Sequence, residues 1–463
     1  MTPNDPSLEV LSPLDGRYRA DVAELLPFFA EAALHRYRVR VEVEYLIMLS
    51  RVRGIGFVPP LDVRQAAQLR ALYQHFDGTA AAEIAQIERR VRHDIKAVEY
   101  WLRDRLVALD MAPWVEAVHF ALTSEDVNNL AYALLVREAR DAVLLPALYQ
   151  VIEALQPLIA SEADTPLLGR THGQPATPTT FGKELAVFSE RLRLAYDVLA
   201  AVRLSGKLTG ATGTFAAHVV ALPHIDWPTF SRAFVRSFQL EPMLVTTQIE
   251  PHDTLATLCD AWKRCATIGI DLSQDLWRYV SDGYLVQATV AGEVGSSTMP
   301  HKVNPIDFEN AEGNFGLACA LFEHFSRKLP VSRLQRDLSD STVLRNLGVA
   351  SGHLLVGLRR MRAGLARVSA DRERMLHDVV AHPEVLAEAF QTILRVAGHP
   401  APYEALRQLS RGRHLTLGML RDFVATLDVA PQVRDALLAL TPDGYTGAAA
   451  ALARQTLRRD RLG

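Results

Sequence analysis

The chain has 463 residues, of which 49% are hydrophobic and 22% charged, a balance that excludes a disordered or collagen-like chain and a lone small module. With 50 basic and 53 acidic residues the net charge is −3, so no global attraction draws the chain to nucleic acid or an anionic membrane, and any anion site has to be local. The three cysteines, Cys259, Cys265 and Cys319, lack zinc or redox spacing and suit a reducing cytoplasm; no secretory signal and no run of about 18 uncharged apolar residues is visible, which predicts a soluble protein.

In chain order, SPLDGRY at 12–18 opens with an Asp-Gly turn. From Leu25 to Val52 the apolar residues recur at three- and four-residue spacing, which predicts a long amphipathic helix. Stretches around 81–107, 126–160, 183–203, 253–279 and 306–329 are Ala/Leu-rich with few internal Gly or Pro, and they predict further helices. Several exceed about 20 residues, so the expected fold class is all-α, a bundle of long helices packed side by side, with little strand and no solenoid period. Breaks near Ala112 and Val368 divide the chain into three helical domains, 1–112, 113–367 and 368–463, the central one holding the long bundle.

Gly, Pro and polar residues concentrate in a few connecting segments, where chemistry is expected. In GEVGSSTMPHKVNP, 292–305, two hydroxyls, Ser296 and Ser297, follow a Gly-flanked entry and precede Lys302 and Asn304. A serine is a poor base unless positive charge and N–H donors stabilise its alkoxide, and Lys302 can supply the charge. Taken alone, helix capping explains these serines better. GRTHGQPATP, 169–178, sets His172 beside Thr171, Gln174 and Thr177; a lone loop histidine is more often a surface residue, yet an imidazole can protonate a departing nitrogen near neutrality. VRHDIKAVEYWL, 91–102, carries Arg92, His93, Asp94 and Lys96, and HFALTSEDVNN, 119–129, carries Thr123, Ser124 and Asn128, which can serve either as an anion site or as a helix cap. Gln248 in TTQIEPHD can fix a carboxylate or a purine edge, and SRLQRDLSDSTVLRNLG, 332–348, offers Arg333, Arg336, Ser341, Thr342 and Arg345. Forked guanidinium donors suit phosphate and carboxylates, although solvated helix-face arginines are the usual reading of such spacing.

The 292–305 string resembles the signature loop of the fumarase/aspartase superfamily, and all six segments occur in the order found in bacterial adenylosuccinate lyases. The resemblance implies a carbon–nitrogen lyase that removes fumarate from a succinyl-nucleotide without metal or organic cofactor. It implies a homotetramer around a 20-helix core, with active sites shared between subunits. Carried over residue by residue, Ser296 becomes the base and His172 the acid. Thr123 and Ser124, together with His172, grip the succinyl carboxylates; Thr171 and Ser297 are further substrate contacts, with Ser297 the fallback base; Lys302 and Asn304 stabilise the carbanion, and Gln248 holds a carboxylate or the purine. Arg17, Tyr18, Arg92, Asp94, Arg336, Ser341, Thr342 and Arg345 fall to phosphate, sugar and their surroundings, and His93 lies near the phosphate or orients the acid. Three positions depart from the family pattern, which has Asn where this chain has Arg92, Thr214 and Ala216. The rival readings are another lyase of the superfamily, such as argininosuccinate lyase, and a catalytically silent helical scaffold.

Overall fold

The computed structural model describes residues 9–288, 299, 302–410 and 415–459. Long helices dominate: α1 Glu31–Leu49, α2 Gly78–Val91, α3 Asp94–Ala108, α4 Ser124–Ala139, α5 Leu145–Ser161, α6 Phe181–Ala201, α7 Asp253–Ser281, α8 Ile306–Lys328 and α10 Leu347–Leu365, with a short α9 at Ser339–Leu344. The stretch 81–107, expected to be helical throughout, breaks between α2 and α3. Arg92 ends α2 in the left-handed region, φ 55, and His93 caps α3 by accepting from the Lys96 amide at 3.2 Å.

α1 is more deeply placed than an amphipathic surface helix. Tyr37, Val39, Val41, Val43, Tyr45, Leu46 and Ile47 are all 1% exposed or less, and so are its polar members Arg38 and Glu42. A helix buried on most of its faces belongs to the core, and these two buried charges survive there because each has a partner: Asp94 at 2.6 Å for Arg38, and His119 at 2.5 Å for Glu42.

α4 and α5 run on as one helical stretch, joined by a π turn at Arg140–Leu144. The turn is accompanied by Arg140 donating to the Val202 carbonyl at 2.5 Å. By length and mean hydropathy, 1.5, this stretch would pass as a membrane span. Its first turn instead carries buried Glu125, Asp126, Asn128 and Asn129, all held by partners within the chain, as in a core helix.

The chain forms two compact units. The first comprises 1–147, 195–267 and 313–357. Within it, Tyr45 meets Phe230 and Phe234 edge-on at 5.9 and 5.7 Å, and a fully buried ion pair joins Lys207 Nζ to Asp126 Oδ1 at 3.0 Å. The second comprises 148–194, 268–312 and 358–463. Its C-terminal part has its own apolar cluster of Leu386, Phe390, Leu394, Leu420, Val424 and Leu437.

The main departure from the expected helices and loops also lies in the second unit, where LLGRTHGQPATP forms an antiparallel hairpin. β1 Pro166–Thr171 pairs with β2 Gln174–Thr180, with Thr171 opposite Gln174. The two residues between the strands, His172 and Gly173, have φ of 53 and 75, the signature of a tight turn whose twist matches its strands. Pro and β-branched Thr in β2 suit an extended chain better than a helix.

Replacing Lys207 with Met would leave the Asp126 carboxylate buried without its cation, and removal of one member of such a pair costs about 3–5 kcal/mol. The expected result is a loss of that size in a urea unfolding titration.

Candidate active site

The first turn of α4 organises much of the expected site in the first unit. Thr123 is its N-cap, in extended backbone at φ −107, and its amide donates to Asp126 Oδ2 at 2.9 Å. The capping reading of TSED therefore holds. It is compatible with anion binding, because Thr123 and Ser124 stand half-exposed at the positive end of a long helix dipole.

The next residues reach in different directions. Glu125 lies 2.8 Å from the Arg336 guanidinium and accepts from Asn128 Nδ2 at 2.9 Å. Burial pushes its carboxyl above the usual range, and Arg336 pulls against that. Asp126 Oδ1 accepts from the Thr209 amide at 2.9 Å. Asn128 Oδ1 accepts from Arg38 Nε at 2.9 Å, and Arg38 in turn grips Asp94 at 2.6 Å. Arg345 sits 3.5 Å from that same Asp94 and donates to both oxygens of Glu31 at 2.8 Å. Burial works to raise the pKa of Asp94, but Arg38, the Ile95 amide and Arg345 hold it below normal.

Four expected segments, 92–94, 123–128, 248–252 and 336–345, are thus tied together. Gln248 itself is tied in through its backbone, its amide donating to the Gln335 carbonyl at 3.2 Å. Ser341 is half-exposed and Thr342 exposed on α9. At the N-terminus, Arg17 is exposed and Tyr18 half-buried, and their turn closes with the Tyr18 amide donating to the Pro13 carbonyl at 2.8 Å. A cavity of about 270 Å³ lined by Asp15, Arg19, Phe29 and Arg345 borders this segment, which brings the N-terminal turn near Arg345.

Within the second unit, His172 stands exposed at the hairpin tip with Thr171 and Gln174 beside it. The hairpin is buttressed by Arg170 against Asp378 at 2.8 Å and by Thr177 hydrogen-bonded to Glu388. Lys302 is exposed, its amide donating to the Met299 carbonyl at 3.1 Å, and Asn304 is half-buried. Ser296 and Ser297 lie outside the described residues. Among the described residues no group of three or more His, Cys, Asp or Glu is arranged to hold a metal ion.

Comparison with known proteins identifies the family of the chain. A family model described as Lyase matches residues 16–318, and another, Adenylosuccinate lyase C-terminal, matches 332–446. Curated adenylosuccinate lyases align along nearly the whole chain: that of Haemophilus influenzae is 45% identical over 96% of this chain and 98% of its own length. That of Dictyostelium discoideum is 46% identical over 95% and 97%. The chain belongs to the adenylosuccinate lyase family. The solved structure of 3-carboxy-cis,cis-muconate lactonizing enzyme from Pseudomonas putida shares the fold, with a TM-score of 0.74 over 96% of this chain and 98% of its own, at 22% identity.

The geometry bears on the expected departure at Arg92. Arg92 occupies the left-handed region at φ 55, where Asn is tolerated and a long side chain is not favoured. Thr214 and Ala216 are exposed and flank Phe215, itself left-handed at φ 55. Sequence reasoning missed Glu125, Asp126, Lys207 and His252, because a charge inside an Ala/Leu-rich or loop segment reads as solvated until its partner is seen.

Arg92→Asn is expected to stabilise the folded chain by about 0.5–1 kcal/mol by relieving the left-handed backbone. Thermal unfolding of the variant, with a melting temperature above that of the wild type, checks this.

Proposed function

We propose that this enzyme eliminates fumarate from adenylosuccinate, releasing AMP, and from succinyl-aminoimidazole-carboxamide ribotide, releasing AICAR. The observation that carries the reading is family membership along nearly the entire chain. The ordered Arg- and Ser-bearing segment 332–348 supports a phosphate-bearing substrate, because Arg336, Ser341 and Arg345 stand on one short stretch with Thr342.

Elimination is anti. Ser296 takes the proton from the carbon beta to the leaving nitrogen, and charge spreads into the adjacent carboxylate. That pair then forms the carbon–carbon double bond as the carbon–nitrogen bond breaks, and the bonding electrons leave on nitrogen, which His172 protonates. Preorganised donors lower the barrier by meeting the doubly charged carboxylate: Lys302, Asn304 and Ser297 from the signature loop, and Thr123, Ser124, Thr171 and Gln248. Arg17, Tyr18, Arg336, Ser341, Thr342 and Arg345 take phosphate and sugar. His93 and Asp94 support them, and Arg92 stands beside them. The electron sink is the substrate's own carboxylate.

Assembly as a homotetramer with shared sites is part of this reading. Along α6, Val187, Leu194 and Val198 are 42%, 63% and 55% exposed, and their spacing places them on one helical stripe that water disfavours. Trp277 on α7 and Leu317 on α8 are exposed in the same manner. The three cysteines are free thiols, in keeping with a reducing cytoplasm.

Ser296→Ala and His172→Gln should each lower kcat by two or more orders of magnitude with unfolding midpoints unchanged, read as fumarate release from adenylosuccinate. Near-normal turnover in either variant removes that residue from its role. Assays with argininosuccinate in parallel decide against the rival lyase, and inertness toward every substrate would favour a scaffold. Leu194→Lys should shift the tetramer to smaller species in light scattering, with activity falling in step.

A further inference from the structure

His252 is a buried histidine that the elimination chemistry does not use. It is 3% exposed, its backbone is left-handed at φ 64, and three buried carboxylates surround it. From its own loop, Glu250 Oε2 lies 3.4 Å from its Nδ1 and also accepts its amide at 2.9 Å, while Glu250 Oε1 accepts from Ser205 at 2.7 Å. From α9, Asp340 Oδ2 lies 3.9 Å from Nε2, an ionic contact longer than a hydrogen bond. From α4, Glu125 adds its field. The neighbouring cation is Arg336, which contacts Glu125 at 2.8 Å and also acts on Asp340. Burial opposes the charge on His252, but Asp340 and Glu250 outweigh it and hold the imidazolium up to about pH 9.

We infer that His252 is a positioning residue for the succinyl-nucleotide: its imidazolium joins the loop carrying Gln248 to the helix carrying Ser341 and Thr342, and keeps Arg336 available for the substrate's phosphate. The inference rests on the proposed assignment of Gln248, Arg336, Ser341 and Thr342 to the substrate. The charge balance gives the reason. Glu125 and Asp340 both act on Arg336, while His252 answers Asp340 and Glu250, so without His252 Asp340 joins Glu125 in drawing on Arg336 alone. An arginine so committed attracts a phosphate less, and a substrate with several negative charges then meets a more negative wall. The backbone fits the role, since left-handed non-glycine residues persist where surrounding contacts enforce them, and such residues gather at functional sites.

The test uses the full-length enzyme and adenylosuccinate. His252→Asn removes the charge but tolerates the left-handed backbone. KM should rise roughly tenfold, about 1.4 kcal/mol of binding, with kcat within roughly threefold. His252→Asn with Asp340→Asn removes one excess carboxylate and should return KM most of the way to wild type. Asp340→Asn alone keeps its Oδ1 cap on the Ser341 amide and should leave KM unchanged or lower. A purely structural histidine would lower the melting temperature without this split or this rescue. The inference is overturned by an unchanged KM in His252→Asn, by a double variant worse than the single, or, where His252→Asn does not fold, by a raised KM in Asp340→Asn. Arg336→Gln is the control: if it too leaves KM unchanged, the assignment of Arg336 to the substrate fails, and not merely the role of His252.

The same charge gives a pH signature. With a folded pKa of about 9 against 6.5 when unfolded, the imidazolium stabilises fully below pH 6.5 and loses that contribution as pH rises through about 9. The stability gap between wild type and His252→Asn should close across that window.

Discussion

Removing a carboxylate from water costs several kcal/mol unless a cation and hydrogen bonds replace the solvent, and α4 does this on two consecutive residues. Successive helical residues point about 100° apart, while those three or four apart share a face. Glu125 and Asn128 therefore face one way, toward Arg336 and Arg38, and Asp126 and Asn129 face another, toward Lys207 and the Thr209 amide. A single helical turn fixes two sets of loops at once. Because each contact is buried, it holds its geometry in a way that a solvated ion pair cannot.

The cations of the candidate site divide along the same line. Arg345 pairs with Glu31 where both are substantially exposed, 37% and 54%, and exposed pairs contribute only about 0–1 kcal/mol. It can turn to an incoming phosphate at little cost. Arg336, 18% exposed against a nearly buried Glu125, keeps its place and offers a preset direction. On the proposed reading, a chain with almost no net charge would build its local anion site from one movable and one fixed guanidinium.

The all-α bundle was legible because its helices are long and their Ala/Leu texture is sustained. α7 and α8 fall within two residues of their expected ends. Legibility failed where one residue decides the path. Arg92 breaks 81–107 through a left-handed backbone that periodicity does not encode, and the hairpin at 166–180 escaped because its alternation is masked by Pro and Gly. For the site, residues in loops with several convergent polar groups stood out by type and order, so Thr123, Gln248, Arg336 and Arg345 were nameable. Their supporting partners were not: Glu125 pairs across 211 positions with Arg336 and Asp126 across 81 with Lys207, and nothing local in a sequence announces so distant a partner.

The two-residue turn at the hairpin tip constrains how this family member can vary. Side chains alternate across a strand, so lengthening or shortening the connection between Thr171 and Gln174 by one residue would invert which side of the ribbon every later side chain of β2 occupies. Thr177 would then lose Glu388, and the imidazole of His172 would leave the tip. The contacts on both faces of the ribbon thus depend on the length of this turn.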